Sequence, residues 1–194
     1  MGVCETISDW EEMGPTSERL DALVGLSADL LEHWGFDHVE VLFDAPEDKP
    51  LYYDSLQNKI HLSLDICMFH IALPTEGHPT RALLDALVDA SGRGVRVRVL
   101  IDRDRKGDPY GSLAVNKPAF EYLQARNVPC RYDRDDRLLH SKFVVIDRTT
   151  AILGSHNWSA GSYFQFDDVS VLVTSAACAD QLTARLDILW SDLD

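Results

Sequence analysis

His140 and Lys142 stand two residues apart, and Ser155 and Asn157 repeat that spacing further along, within HSKFVVIDRTTAILGSHNWS (residues 140–159). In an extended chain, residues i and i+2 project from one face. An imidazole and an ammonium therefore share a face of the strand expected over Leu138–Ile146. Asp147 sits at the turn beyond it, and the chain returns through Ala151–Leu153. Antiparallel pairing of the two runs carries Ser155 and Asn157 back beside His140 and Lys142. A nucleophile, a cation and neutral donors on one spot suit a phosphodiester, whose non-bridging oxygens need stabilising while phosphorus is attacked.

Taken singly, each residue has a structural explanation. A histidine at a strand start, a surface lysine and a turn asparagine are all ordinary, and Trp158 reads as core. His156 points away from Ser155 and Asn157 if the segment stays extended, and is left outside the site. Jointly, His140, Lys142, Ser155 and Asn157 are harder to explain as structure than as a site.

The spacing H-x-K-x4-D-x6-G-S-x-N, filled by His140, Lys142, Asp147, Gly154, Ser155 and Asn157, resembles the HKD signature of the phospholipase D superfamily. The segments DICMFHIAL, ALLDALVDASGRGVRVRVLID and DDVSVLV also look like that family. Asp168 stands where many members place a longer glutamate. The resemblance covers roughly residues 37–194. It implies a two-step displacement without metal. His140 attacks phosphorus to form a phosphohistidine, and a second histidine protonates the leaving oxygen and then activates water. Lys142 and Asn157 hold the phosphoryl oxygens with help from Ser155. Asp168 orients His140, by the logic of a catalytic triad. Asp147 is included with the catalytic set, although a structural role at the strand end suits it better than proton transfer. No second H-x-K occurs in the chain. Single-motif members of the family resemble dimers in which two motifs meet across a two-fold axis, so a homodimer with one composite site is expected.

The elements that must position these residues follow from periodicity. Apolar residues from Leu20 to Trp34 recur at helical spacing inside an acidic N-terminal arm, residues 1–36. Beyond it, strands are expected at Val39–Phe43, Ile60–Leu73, Val95–Ile101, Pro129–Tyr132, Leu138–Ile146, Ala151–Leu153 and Val169–Val173. Helices are expected at Pro79–Ala90, from an Asn116 cap to about Arg126, and after Ser175. Strands interleaved with helices predict an α/β domain over 37–194, a mixed β-sheet flanked by helices on both faces. With the resemblance, this is a phospholipase D-like α-β-α sandwich.

Charge constrains the partners. The chain of 194 residues carries a net charge of −14. Residues 1–92 contribute −14, residues 93–148 contribute +5 and residues 149–194 contribute −5. An acidic protein with a cationic centre fits nucleic acid steered toward that centre, or a basic protein subunit bound elsewhere. Arg96, Arg98 and Arg137 are the candidate phosphate contacts; the alternative for Arg96 and Arg98 is the solvent face of an alternating V-R-V-R-V strand. No apolar run approaches the roughly 20 residues of a membrane span, and the acidic start does not read as a secretory signal. Met1-Gly2-Val3-Cys4-Glu5-Thr6 fits a loose myristoylation pattern, taken as a chance match beside its acidic flank. A cytoplasmic protein without stable membrane insertion is expected. Cys4, Cys67, Cys130 and Cys178 are scattered, and no histidines are paired at ligand spacing. No metal and no cofactor are expected. A metal-independent nuclease is the first expectation, a phospholipase D or phosphatidyl transferase the second, and a catalytically quiet binding dimer the third.

Overall fold

The computed structural model describes residues 38–43, 62–76, 78–107 and 109–193. The acidic arm, its helix and the myristoylation pattern lie outside them. Strand β1 (His38–Phe43) and β2 (Ser63–Met68) are followed by α1 (Pro79–Gly92), β3 (Arg96–Ile101), α2 (Ser112–Gln124) and β4 (Cys130–Tyr132). Then come β5 (Lys142–Ile146), β6 (Thr150–Gly154), α3 (Ala160–Phe164), β7 (Val169–Thr174) and α4 (Ala176–Ser191). Seven strands form one sheet in the order β1-β7-β6-β5-β2-β3-β4. The β2–β3 and β3–β4 pairs are parallel and the others antiparallel.

The parallel half needs crossovers, which α1 and α2 supply. The antiparallel half is built from short connections such as the β5–β6 hairpin. The residues of β2 alternate between two cores. Leu64, Ile66 and Met68 join Leu83, Leu84 and Leu87 of α1 and Leu123 of α2 on one face. Cys67 lies on the other with Ala179, Leu186 and Leu189 of α4. The expected mixed α/β sheet with helices on both faces is the observed architecture.

Three expected boundaries move by three residues or more. The strand expected over Leu138–Ile146 begins only at Lys142, so His140 stands on the segment before it. The strand expected over Ile60–Leu73 pairs as β2 only to Met68, then bends at Phe69. Helix α2 begins at Ser112, so Asn116 is an interior, fully buried residue and not its cap.

Candidate active site

The motif residues gather at the carboxyl end of β2. That is where the sheet changes from parallel to antiparallel pairing, and such crevices in α/β sheets are where ligands bind. Lys142 opens β5 opposite Met68. It is only 9% exposed, and its Nζ donates to the His140 carbonyl at 2.7 Å. The same ammonium stands 5.1 Å from the centre of the Phe69 ring. Burial pulls the Lys142 pKa down, against the charge of Asp168, which pushes it up. His140 precedes the strand and is exposed. Partial burial, then the Lys142 charge, holds its pKa below the usual histidine value, with Asp102 opposing. A neutral imidazole beside a cation is the state a phosphorus nucleophile requires.

The second half of the motif arrives from β6. Gly154 allows it: a Cβ there would lie 2.3 Å from the Val169 carbonyl oxygen and 2.4 Å from Ser170 Cα, so β6 and β7 approach only over a glycine. Ser155 follows, its Oγ donating to Asp168 Oδ1 at 2.6 Å and accepting from the Val169 N–H at 3.0 Å. Asn157 Oδ1 accepts the His70 N–H at 3.1 Å, and the Trp158 N–H donates to the His70 carbonyl at 3.0 Å. The chain beyond β2 has thus exchanged β5 for the 157–158 segment, with which it forms the Ile71–Trp158 bridge. His156, left outside the site above, is 2% exposed and bonds Ser170 Oγ through Nδ1 at 2.8 Å.

His140, Lys142, Ser155, Asn157 and Asp168 are therefore neighbours, with one change of role. The expected orienting bond from Asp168 to His140 is absent, because that carboxylate is engaged by Ser155. Asp147 lies at the far end of β5. Its Oδ1 accepts the Leu62 and Ser63 N–H groups at 2.7 and 2.9 Å, latching the hairpin to the start of β2. It is structural.

The three arginines expected to contact phosphate are not brought to the site. Arg98 makes two bonds, of 2.8 and 2.9 Å, to the buried Asp65 and one of 2.6 Å to Asp187; Arg96 shares Asp65 at 3.1 and 3.3 Å. Arg137 grips buried Asp133 at 2.6 and 2.8 Å and reaches Asp192 at 3.2 Å. A buried carboxylate needs a charged partner more than solvent does, and these arginines supply it. Arg103, Arg105 and Lys106 differ from them. They are exposed on the β3–α2 loop and enter no ion pair among the described residues.

Two site residues were not legible from spacing. Asp102, fully buried, accepts the Leu139 N–H at 2.8 Å, so it fixes the residue before His140, and its other oxygen takes the Ser112 hydroxyl. Asn116 donates to the carbonyls of Phe69 and Asp102, both at 2.8 Å, and accepts the Ile71 N–H at 2.7 Å. It clamps the ends of β2 and β3 together. Among the described residues, no group of three or more His, Cys, Asp or Glu side chains is placed to hold a metal ion.

The fold and the site define a phospholipase D-like protein. A family model described as cardiolipin synthase, PLD-like domain, matches residues 56–190, and the chain belongs to that family. It is 32% identical over 112 residues to the mitochondrial cardiolipin hydrolase of Homo sapiens, covering 58% of this chain and 38% of that protein. Against the Xenopus laevis mitochondrial cardiolipin hydrolase it is 29% identical over 133 residues, 68% of this chain and 56% of that one. The chain thus matches about half or less of the length of these relatives. Among solved structures it is similar to the phospholipase D family member Nuc from Salmonella typhimurium. That match has a TM-score of 0.62 and 22% identity, covering 79% of this chain and 93% of that one.

Proposed function

We propose that this member of the phospholipase D-like family is a metal-independent nuclease. In that reading it cleaves DNA or RNA phosphodiesters through a phosphohistidine on His140. The observation that carries it is the pairing of an exposed, neutral-leaning His140 with the buried Lys142 ammonium, beside Ser155 and Asn157. The His140 nitrogen lone pair forms the N–P bond as the P–O bond to the leaving strand breaks. A second histidine gives that oxygen its proton, then takes one from the water that opens the N–P bond. Lys142 and Asn157 balance the charge gathering on the phosphoryl oxygens. The second histidine is His140 of a partner copy, so the active form is a homodimer. A cytoplasmic location and a further basic subunit on the acidic regions belong to the same reading.

The free cations Arg103, Arg105 and Lys106 favour nucleic acid. Their loop is tied to the approach to His140 by the Asp102–Leu139 bond and by the Lys106 N–H on the Asp135 carbonyl at 2.7 Å. A lipid phosphodiester is the second reading. It is supported by the relatives named cardiolipin hydrolase and by Phe164, Phe166 and Val169, which are 47, 60 and 45% exposed around Asp168.

The test is cleavage of single- and double-stranded DNA, RNA and cardiolipin vesicles in EDTA by wild type and His140→Ala. Nucleic-acid cleavage that survives EDTA and is lost in the variant is expected. Cleavage of cardiolipin alone would replace the first reading by the second. No cleavage by a folded dimer would leave a binding module.

A further inference from the structure

A nucleophilic imidazole must be held in one orientation, and here the carboxylate expected to hold it is bonded to Ser155. What touches the His140 ring is Phe69, at 4.7 Å between centroids and tilted by 54°. Phe69 is in turn stacked on His70, at 3.9 Å and 19°. In a continuing strand these consecutive side chains would face opposite ways. The bend at Phe69 brings both rings to one side.

The platform under this stack is rigid. The Phe69 carbonyl is held by Asn116, the His70 N–H by Asn157 and the His70 carbonyl by Trp158. His70 is held through its backbone to the Asn157 side, while Phe69, its neighbour in sequence, lies against the His140 ring. His70 therefore stands between the two halves of the motif. Its Nε2 is buried with no hydrogen-bond partner among the described residues, and its ring packs on that of Phe69. Burial first, then the charge of Lys142, lowers its pKa, with Asp102 and Asp104 opposing and His140 adding to the depression.

We propose that His70 is a positioning residue: stacked behind Phe69, it holds the His140 ring in its attacking orientation, a task its shape performs and its nitrogens do not. For its kinetics this rests on the phosphodiesterase reading of the site; for its geometry it does not.

The experiment compares full-length wild type, His70→Ala and His70→Phe, each checked for folding by thermal melting. The substrate is bis(p-nitrophenyl) phosphate. In parallel, the His140 imidazole signals are followed by NMR and assigned by their loss in His140→Ala. In His70→Ala, kcat is expected to fall about 10- to 100-fold, the scale of a misplaced reacting group, with KM held within about twofold. The His140 ring signals should move toward those of free imidazole as the Phe69 ring loses its backing. His70→Phe, which keeps the plane and removes the nitrogens, should restore both readouts. Failure of phenylalanine to restore kcat would overturn the proposal and point to the buried nitrogen. An unmoved His140 signal in folded His70→Ala would also overturn it. Wild type that turns over no phosphodiester would sink the enzymatic reading alone, leaving the NMR comparison to decide on His70.

Discussion

At the residue scale, the consequence of crowding His140 against Lys142 is a pH dependence with a definite sign. In the proposed mechanism the neutral imidazole attacks and the protonated one cannot. Since the His140 pKa lies below the usual value near 6.5, the acid limb of a kcat/KM profile should have its midpoint below that value. Activity rises with pH through that midpoint. Replacing Lys142 by Met removes the repelling charge, so the midpoint should move up while kcat falls; an unmoved midpoint would show that the two groups do not interact. His140, Lys142, Ser155 and Asn157 were legible as a group in the sequence, because i, i+2 spacing and a hairpin return are local geometry, whereas Asp168 came only from the family resemblance. His70 was not legible, since its relation to His140 runs through the Phe69 ring after the bend that ends β2, 70 residues away in sequence. The partner expected for Asp168 was His140 and the one observed is Ser155, a choice made by side-chain reach.

At the element scale, the site depends on how β2 and β3 end. Asn116 satisfies three backbone groups there, two of them carbonyls at the strand ends. Asn116→Ala should leave buried groups unpaired at a cost of about 2 kcal/mol, read as a shift in the urea midpoint. Activity should fall further than stability alone explains. The Arg98–Asp65 pair is a second joint, linking β2 and β3 to α4 through Asp187. Removing Arg98 strands a buried carboxylate that retains only Arg96, so Arg98→Ala should cost roughly 2–3 kcal/mol. Its nucleic-acid affinity should be unchanged. A large loss of affinity in a folded Arg98→Ala protein would restore the phosphate-contact role. Most elements were legible from apolar period, and Ser175 does cap α4 as expected, accepting the Cys178 N–H at 3.3 Å. The start of α2 was hidden, because its cap is remote. Asp104, eight residues before Ser112 and at a φ of +72°, accepts the Ser112 and Leu113 N–H groups, both at 3.0 Å. Rules for neighbouring cap residues do not see a carboxylate supplied from so far upstream.

At the scale of the whole molecule, charge and assembly carry the remaining predictions. If Arg103, Arg105 and Lys106 meet phosphates, changing all three to Ala should flatten the salt dependence of DNA affinity. The expected loss is roughly 0.7–0.9 logarithmic units of slope per contact. The same measurement on Arg96→Ala should show little change, and the reverse ranking would restore the original assignment. Specific activity should rise with protein concentration through the dimer dissociation range found by sedimentation. Activity independent of concentration in a monomer would refute the shared site. None of this was legible from the net charge of −14, since pairing, and not number, decides which arginines are free to act.

The two ends of β5 differ in what they tolerate. His140 and Lys142 lie at one end. At the other, Asp147 and Arg148, both left-handed with φ of +52° and +58°, turn the chain away. A strand of that length separates them by roughly 17 Å. Chain added after Arg148 would leave from the rim opposite the chemistry, so the hairpin tip is where a tether, a reporter or a fused domain can be attached without obstructing substrate. Chain inserted into the Arg103–Gly107 loop would instead leave next to Asp102, whose carboxylate holds the Leu139 N–H beside His140.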